Sequence, residues 1–349
     1  MARKADERGD RLFVRRVLIV LALASVFALA WYLRHLVLML FGAVVVATVF
    51  RALADRIVRL TGCREGLAVA IAIALIFGML AVLAALFGAH VAQQVETLRE
   101  TLPAAWQSFE ARVQQLGLGE QLRQIADSVR RSGGTFADFG RAVMSVGNAI
   151  AEVLVVVFAG IFLAAQPRFY RTGAIKLVPP AKRAVVAESM DESERALRLW
   201  LKGQLIAMIV VGTLTGTGLW LLGMPSALVL GLLAGILEFI PFAGPILSAV
   251  PAVLLALAVS PDLAIWVVLL YFAVQQFEGY VLTPLVQQYA VDLPGVVLLF
   301  SLLGFGMIFG TLGVILAAPL GVVTYVLVKR LYVIETLHTP THIPGETKD

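Results

Sequence analysis

Glu238 lies in the run Gly235-Ile-Leu-Glu-Phe-Ile-Pro-Phe-Ala-Gly-Pro245, an otherwise apolar stretch broken by Pro241, Gly244 and Pro245 and followed by Pro251. An ionised carboxylate among spanning helices costs about 2.5–3.5 kcal/mol on insertion scales, so it must face a partner, a cavity or water. Such a group can exchange a proton, or bind a cation together with backbone carbonyls that a proline has released. Its structural alternative is a carboxyl bonded to a neighbouring helix or to the broken backbone. A helix restarting after Pro245 offers helix-start amides near Ile246, Leu247 and Ser248 to an oxygen-rich or anionic ligand, and the preceding arm ends in carbonyls that suit a cation or a hydroxyl donor. A second polar group comprises Gln275, Gln276 and Glu278, with Gln275 and Glu278 three apart on one helix face; Gln287, Gln288 and Asp292 follow. These residues could line the mouth of a site or simply meet headgroups.

Other chemistries find no support. The single cysteine, Cys63, permits no internal disulfide or thiolate metal cluster. His338 and His342 have helical metal-pair spacing but sit in Thr-Pro-Thr-His-Ile-Pro, which cannot hold a helix, and His35 and His90 stand alone. There is no phosphate-binding loop of the G-x-x-x-x-G-K-[ST] form and no Ser/His/Asp set at one membrane face. The expectation is a non-enzyme with no catalytic residues, no metal and no cofactor. The net charge of +5 is dispersed in loops beside apolar segments and implies no nucleic acid.

The elements that must hold these residues are membrane helices. The 349 residues are 60% hydrophobic and 15% charged, against roughly a quarter charged in soluble domains. Mean hydropathy is +0.90. Apolar windows occupy 17–33, 36–50, 67–91, 146–165, 204–222, 226–259, 263–282 and 294–328, which predicts an all-α polytopic protein with about eight membrane segments. The first window follows six basic residues and ends in Ala28-Leu29-Ala30, resembling a signal peptide, but a second apolar run starts at Leu36 and the pair reads as a retained hairpin.

Basic residues favour the cytoplasmic side. Residues 1–16 carry six, residues 51–66 carry Arg51, Arg56, Arg59 and Arg64, and residues 166–203 carry eight against four acids. These three segments are expected in the cytoplasm, with 331–349 as a cytoplasmic tail. Residues 92–145 carry six basic and six acidic residues and are expected outside as amphipathic helices, with Leu98, Leu102, Trp106, Phe109 and Val113 at helical steps. The expected order is therefore an N-terminal segment 1–16, helices over 17–91, the external region 92–145, a span at 146–165, a connector helix in 166–203 and a C-terminal core over 204–330.

Two windows in that core are too long for one crossing. Residues 226–259 would make a helix of about 50 Å across a hydrocarbon core of about 30 Å. A fold at Pro241–Pro245 gives two arms instead. Residues 294–328 repeat the arrangement around Phe309-Gly310-Thr-Leu-Gly313, with Pro319 in the second arm. Paired broken segments mark transporter binding sites.

Together, Gly235–Pro245, Gln275-Gln-Phe-Glu-Gly279, Thr283-Pro284, Phe309–Gly313 and Ala318-Pro319-Leu320 resemble the autoinducer-2 exporter family, the PerM-type permeases of bacteria, over about residues 146–330. Tyr280 departs from the small polar residue the resemblance leads one to expect after Gly279. The resemblance implies a bacterial inner-membrane protein, export of a small hydroxylated furanone signal used in quorum sensing in some members and sodium- or proton-coupled antiport in others, and a homo-oligomer of five chains. The residues named for transport or coupling are Glu238, Glu278, Gln275, Gln276 and Ser248; those named for the hairpin breaks are Pro241, Gly244, Pro245, Gly310, Gly313 and Pro319. The function expected is secondary or passive export of a small polar solute. Two alternatives stand beside it, a sodium or proton antiporter and an oligomeric membrane scaffold that moves no solute.

Overall fold

In a computed structural model, residues 31–82, 146–284 and 293–341 are described, with a few isolated positions beside them. The expected span over 17–33, apart from its last three residues, the region 92–145, and Gln287, Gln288 and Asp292 lie outside the described residues or contribute only isolated positions. Among the described residues the chain is helical throughout, without strands. Five helices are long and apolar enough to cross a membrane alone, or six if the bent pair at 152–176 forms one span. The protein is a multi-pass membrane protein.

The N-terminal unit contains α1 (Arg34–Thr61), α2 (Glu65–Val82) and α3 (Val146–Ala165). Helix α1 runs well past the expected end at 50, so Arg51, Arg56 and Arg59 lie on its last turns and the connection to α2 is only 62–64. Gly62 closes α1 at φ 68°, its N–H bonding the Val58 carbonyl at 2.8 Å, a left-handed cap that a Cβ would disfavour. Phe50, Ala54, Ala68, Val69, Ala72 and Ala164 form this unit's core.

After α3 the chain turns by 90° into α4 (Pro167–Lys176). The connector helix expected within 166–203 and the span expected over 204–222 are one helix, α5 (Arg183–Leu221), 39 residues long. Its charged residues lie between Arg183 and Lys202 and its remainder carries none, so hydropathy places a boundary where the backbone has none.

Ion pairs gather along one face. Arg198 bonds Asp55 at 2.5 Å and Glu194 at 2.6 Å, Arg171 bonds Asp191 at 2.6 Å, and Arg168 reaches Glu65 at 3.2 Å. Arg330 pairs with Glu188 and Glu192. The end of α1, the start of α2, α4, the start of α5 and the end of the chain's last helix therefore share one membrane face. His35 and Glu152, 3.5 Å apart, mark the opposite end of α1 and α3.

The 226–259 window is folded as expected, into α6 (Ala227–Leu237) and α7 (Ala243–Val259). Ala227 and Leu230 of α6 share a core with Ala252, Leu255 and Ala256 of α7, so the arms run antiparallel. Helix α8 (Pro261–Phe277) follows, capped by the Ser260 hydroxyl on the Leu263 N–H, and ends in a wider π turn at Glu278–Leu282. The second hairpin has α9 (Gly295–Phe309), a single short helix α10 (Thr311–Ile315) and α11 (Ala317–Leu327), which continues as a π helix to Ile334.

Candidate functional site

The position of Glu238 is set by glycines. On α5, Gly212 and Gly216 face Gly235 and Gly231 of α6. A Cβ on Gly231 would overlap the backbone of Gly216, and one on Gly212 would lie 3.0 Å from the Cα of Gly235. Small residues at a four-residue step let two apolar helices approach to backbone contact. Continued toward the ion-pair face, this antiparallel register brings Gln204 opposite the end of α6, where its Nε2 donates to the Glu238 carbonyl at 2.6 Å. Gln204 lies six residues beyond Arg198, about 9 Å along the helix axis.

The break between the arms is a strained turn. Phe242 has φ 64° and ψ −46°, and the Ala243 N–H bonds the Pro241 carbonyl at 2.8 Å across it. This is the rare, positive-φ form of the γ-turn. Gly244 begins the second arm so close to the first that an added Cβ would overlap the Leu237 carbonyl. The second hairpin uses the same device. Gly310 has φ 67° and ψ −147°, a backbone state essentially reserved for glycine, and a Cβ on Gly313 would overlap the Phe305 carbonyl. In both hairpins a glycine in the first turn after the break packs on a carbonyl seven or eight residues earlier. Pro319 lies fully buried in α11, past the break.

Two expectations about this break are corrected. The second arm begins at Ala243, not after Pro245, because a proline is accommodated in a helix's first turn, where its missing N–H costs no intrahelical bond. The arm ends are also largely satisfied internally. The Ala234, Ile236 and Leu237 carbonyls accept from Glu238, Phe239 and Ile240, the Glu238 carbonyl accepts from Gln204, and the Gly244 N–H bonds Ile240. The break does not leave two bare dipole ends.

What it leaves is a carboxyl. Glu238 is only 2% exposed, and its Oε2 has no hydrogen-bond donor among the described residues. It shares the wall of one cavity with Glu278, whose carboxyl accepts from Gln275 Nε2 at 2.8 Å. Two carboxyls on one cavity wall can share a proton or hold a cation between them. They line a cavity of about 380 Å³ with Gln204, Gln275, Pro241 and Thr283. Trp200, also on its wall, packs edge-on against Phe239 at 5.7 Å.

Of the residues singled out from sequence, Glu238, Glu278, Gln275 and Pro241 come together here. Gln276 and Ser248 do not. Gln276 is exposed and away from the cavity lining. Ser248 is buried, its hydroxyl donating to the Pro245 carbonyl at 3.0 Å while its own carbonyl accepts from Tyr271 at 3.1 Å. It braces α7 on α8. Gln204, Thr283 and Trp200 belong to the cavity and were not expected. The available signal for Gln204 was its position as a lone amide between the charged and apolar parts of α5.

A model of AI-2E family transporters matches residues 18–332. The chain belongs to the AI-2E transporter family. Among curated relatives, YrrI of Bacillus subtilis (strain 168) is 32% identical over 162 residues, 46% of each chain. PerM of Escherichia coli K12, named a permease, is 27% identical over 173 residues, 49% of each. The AI-2 transport protein TqsA of the same organism is 22% identical over 299 residues, covering 82% of this chain and 84% of TqsA. In the first relatives the match spans about half their length. Membrane transport is the function this family supports.

Proposed function

We propose that this AI-2E family chain is a secondary or passive transporter that exports a small polar solute through the cavity at the first hairpin break. The observation that carries the reading is Glu238, a buried carboxyl with an oxygen lacking a donor among the described residues, on the wall of the same 380 Å³ cavity as Glu278 inside a membrane protein. A dry, packed surround would have favoured a purely structural carboxyl. Glu238, Glu278 and Gln275 bind and orient the solute's hydroxyls, Gln204 anchors the hairpin tip, and Pro241, Gly244 and Pro245 set the break.

Basic residues cluster at the end of α1, at Arg64 and in α4, so the ion-pair face is the cytoplasmic one, and both termini lie in the cytoplasm of a bacterial inner-membrane protein. An autoinducer-2-like hydroxylated furanone is the solute favoured by the likeness to TqsA. The assembly is a homo-oligomer of five chains, and the chain is not an enzyme. Flux of such a furanone in proteoliposomes, with and without sodium and pH gradients, tests the reading. Uptake indistinguishable from protein-free liposomes under every gradient would remove it.

The carboxyl pair favours a second reading, sodium or proton antiport, because a shared proton or a bound cation resolves the juxtaposition of Glu238 and Glu278. Gradient-driven sodium or proton movement without any organic solute would select it. Assembly changes without flux changes in variants of these residues would instead point to the scaffold.

A further inference from the structure

The two hairpins enter from opposite faces. Helix α5 leaves the ion-pair face, α6 returns antiparallel to it, and so the tip at Glu238 points back toward the ion pairs. The second hairpin is reversed. Leu293 and Leu298, at its start, and Val326, at its end, pack with Leu197 and Trp200 near the ion pairs, and Arg330 follows directly. Its tip, Leu312 to Leu316, therefore points toward the other face.

That tip walls a second cavity, of about 530 Å³, bounded otherwise by α1, α3 and α5. Its lining is apolar apart from Glu152, which pairs with His35, and Gln204. Glu152 is 13 residues before Ala165 at the ion-pair end of α3, about 20 Å along the helix, so this cavity runs from the depth of Gln204 toward the opposite face. Gln204 lines both cavities.

From these positions we propose that the second cavity is the other limb of the transport path, open to the face marked by His35 and Glu152. The limb rests on the transport reading above. It carries the solute and water past Leu316 and Val156, and the Glu152 carboxylate is its polar station, selecting hydroxyl-bearing or cationic species over anions. Gln204 and the Trp200–Phe239 contact form the partition between the limbs. The occupant is the small solute with water, because the cavity meets the polar one at the shared Gln204 wall and a carboxylate–imidazole pair stands at its far end.

The full chain carrying Cys63→Ser provides a background without native thiols. In it, Val156→Cys and Leu316→Cys are treated in vesicles with membrane-impermeant methanethiosulfonates applied from each side. Both cysteines are expected to react from the His35 side at least about tenfold faster than Val155→Cys, which points outward from α3 and is 55% exposed. At Val156→Cys the cationic reagent should outpace the anionic one, and Glu152→Gln should erase that preference. Reaction no faster than at Val155→Cys means a lipid-filled groove and overturns the proposal, as does reaction only from the ion-pair side or a charge preference indifferent to Glu152→Gln. Thr283→Cys, on the polar cavity, separates the two readings. If it is silent while Val156→Cys and Leu316→Cys react as expected, the limb stands and the Glu238 cavity is not part of the path.

Discussion

Glu238 and Gln204 divide two jobs at one point of the chain. The Gln204 amide holds the backbone of Glu238 and leaves its carboxyl to face Glu278. Removing the amide by Gln204→Ala leaves a buried carbonyl without its donor, at a cost of about 1–3 kcal/mol. Thermal unfolding in detergent should register that loss, and Gln204→Glu should fare worse still, because a carboxylate cannot donate to a carbonyl. The importance of Glu238 was legible in the sequence, since a carboxylate among prolines inside an apolar run has few bland explanations. Gln204 was not, because a single amide at the edge of a span looks like a headgroup contact until the helix register is known. The same limitation explains Gln275 and Gln276. Neighbours on a helix point about 100° apart, so one reaches Glu278 and the other faces outward.

The hairpin tips depend on two unlike residues for opposite reasons. Gly244 is required by contact, since any Cβ there meets the Leu237 carbonyl, and Gly244→Ala should destabilise the fold by about 1–3 kcal/mol. Phe242 sits at positive φ with no glycine to ease it, at a strain of about 1–3 kcal/mol, and is half exposed. Phe242→Gly should therefore leave the melting temperature unchanged or raise it, whatever it does to flux. A large drop in stability for Phe242→Gly would show that its ring, not its backbone, holds the turn. The breaks themselves were readable from Pro241, Gly244, Pro245 and Gly310, because the length of each apolar run demanded a fold and these residues permitted one. The second arm starts three residues earlier than expected, because Pro245 marks a helix's first turn as readily as its interruption. Helix α5 was divided in two because its charges change where its backbone does not.

Across the whole molecule, glycine contacts and ion pairs tie the broken hairpins to their neighbours at different depths. The α5–α6 clamp has no slack, and Gly231→Val should abolish folded, extractable protein while Leu232→Val, pointing outward, should not. The Arg198–Asp55 pair bridges the N-terminal unit to α5 and is partly exposed, so its coupling by a double-mutant cycle should be only about 0.2–1 kcal/mol and should shrink with added salt. The sequence pattern showed all-helical membrane architecture and the same-face grouping of basic segments. It did not show that the two hairpins point in opposite directions, because insertion direction is set by contacts between segments far apart in the chain.

The central claim is that the buried carboxyl facing Glu278 belongs to the transport path. Glu238→Gln preserves shape and removes only the ionisable group. Measured in proteoliposomes under imposed sodium and pH gradients, it should insert and melt like the unsubstituted chain while furanone flux falls by about tenfold or more and loses its response to the gradient, a change of about 1.4 kcal/mol or more. A folded Glu238→Gln protein that transports at the original rate with the original sodium and pH dependence would contradict the account.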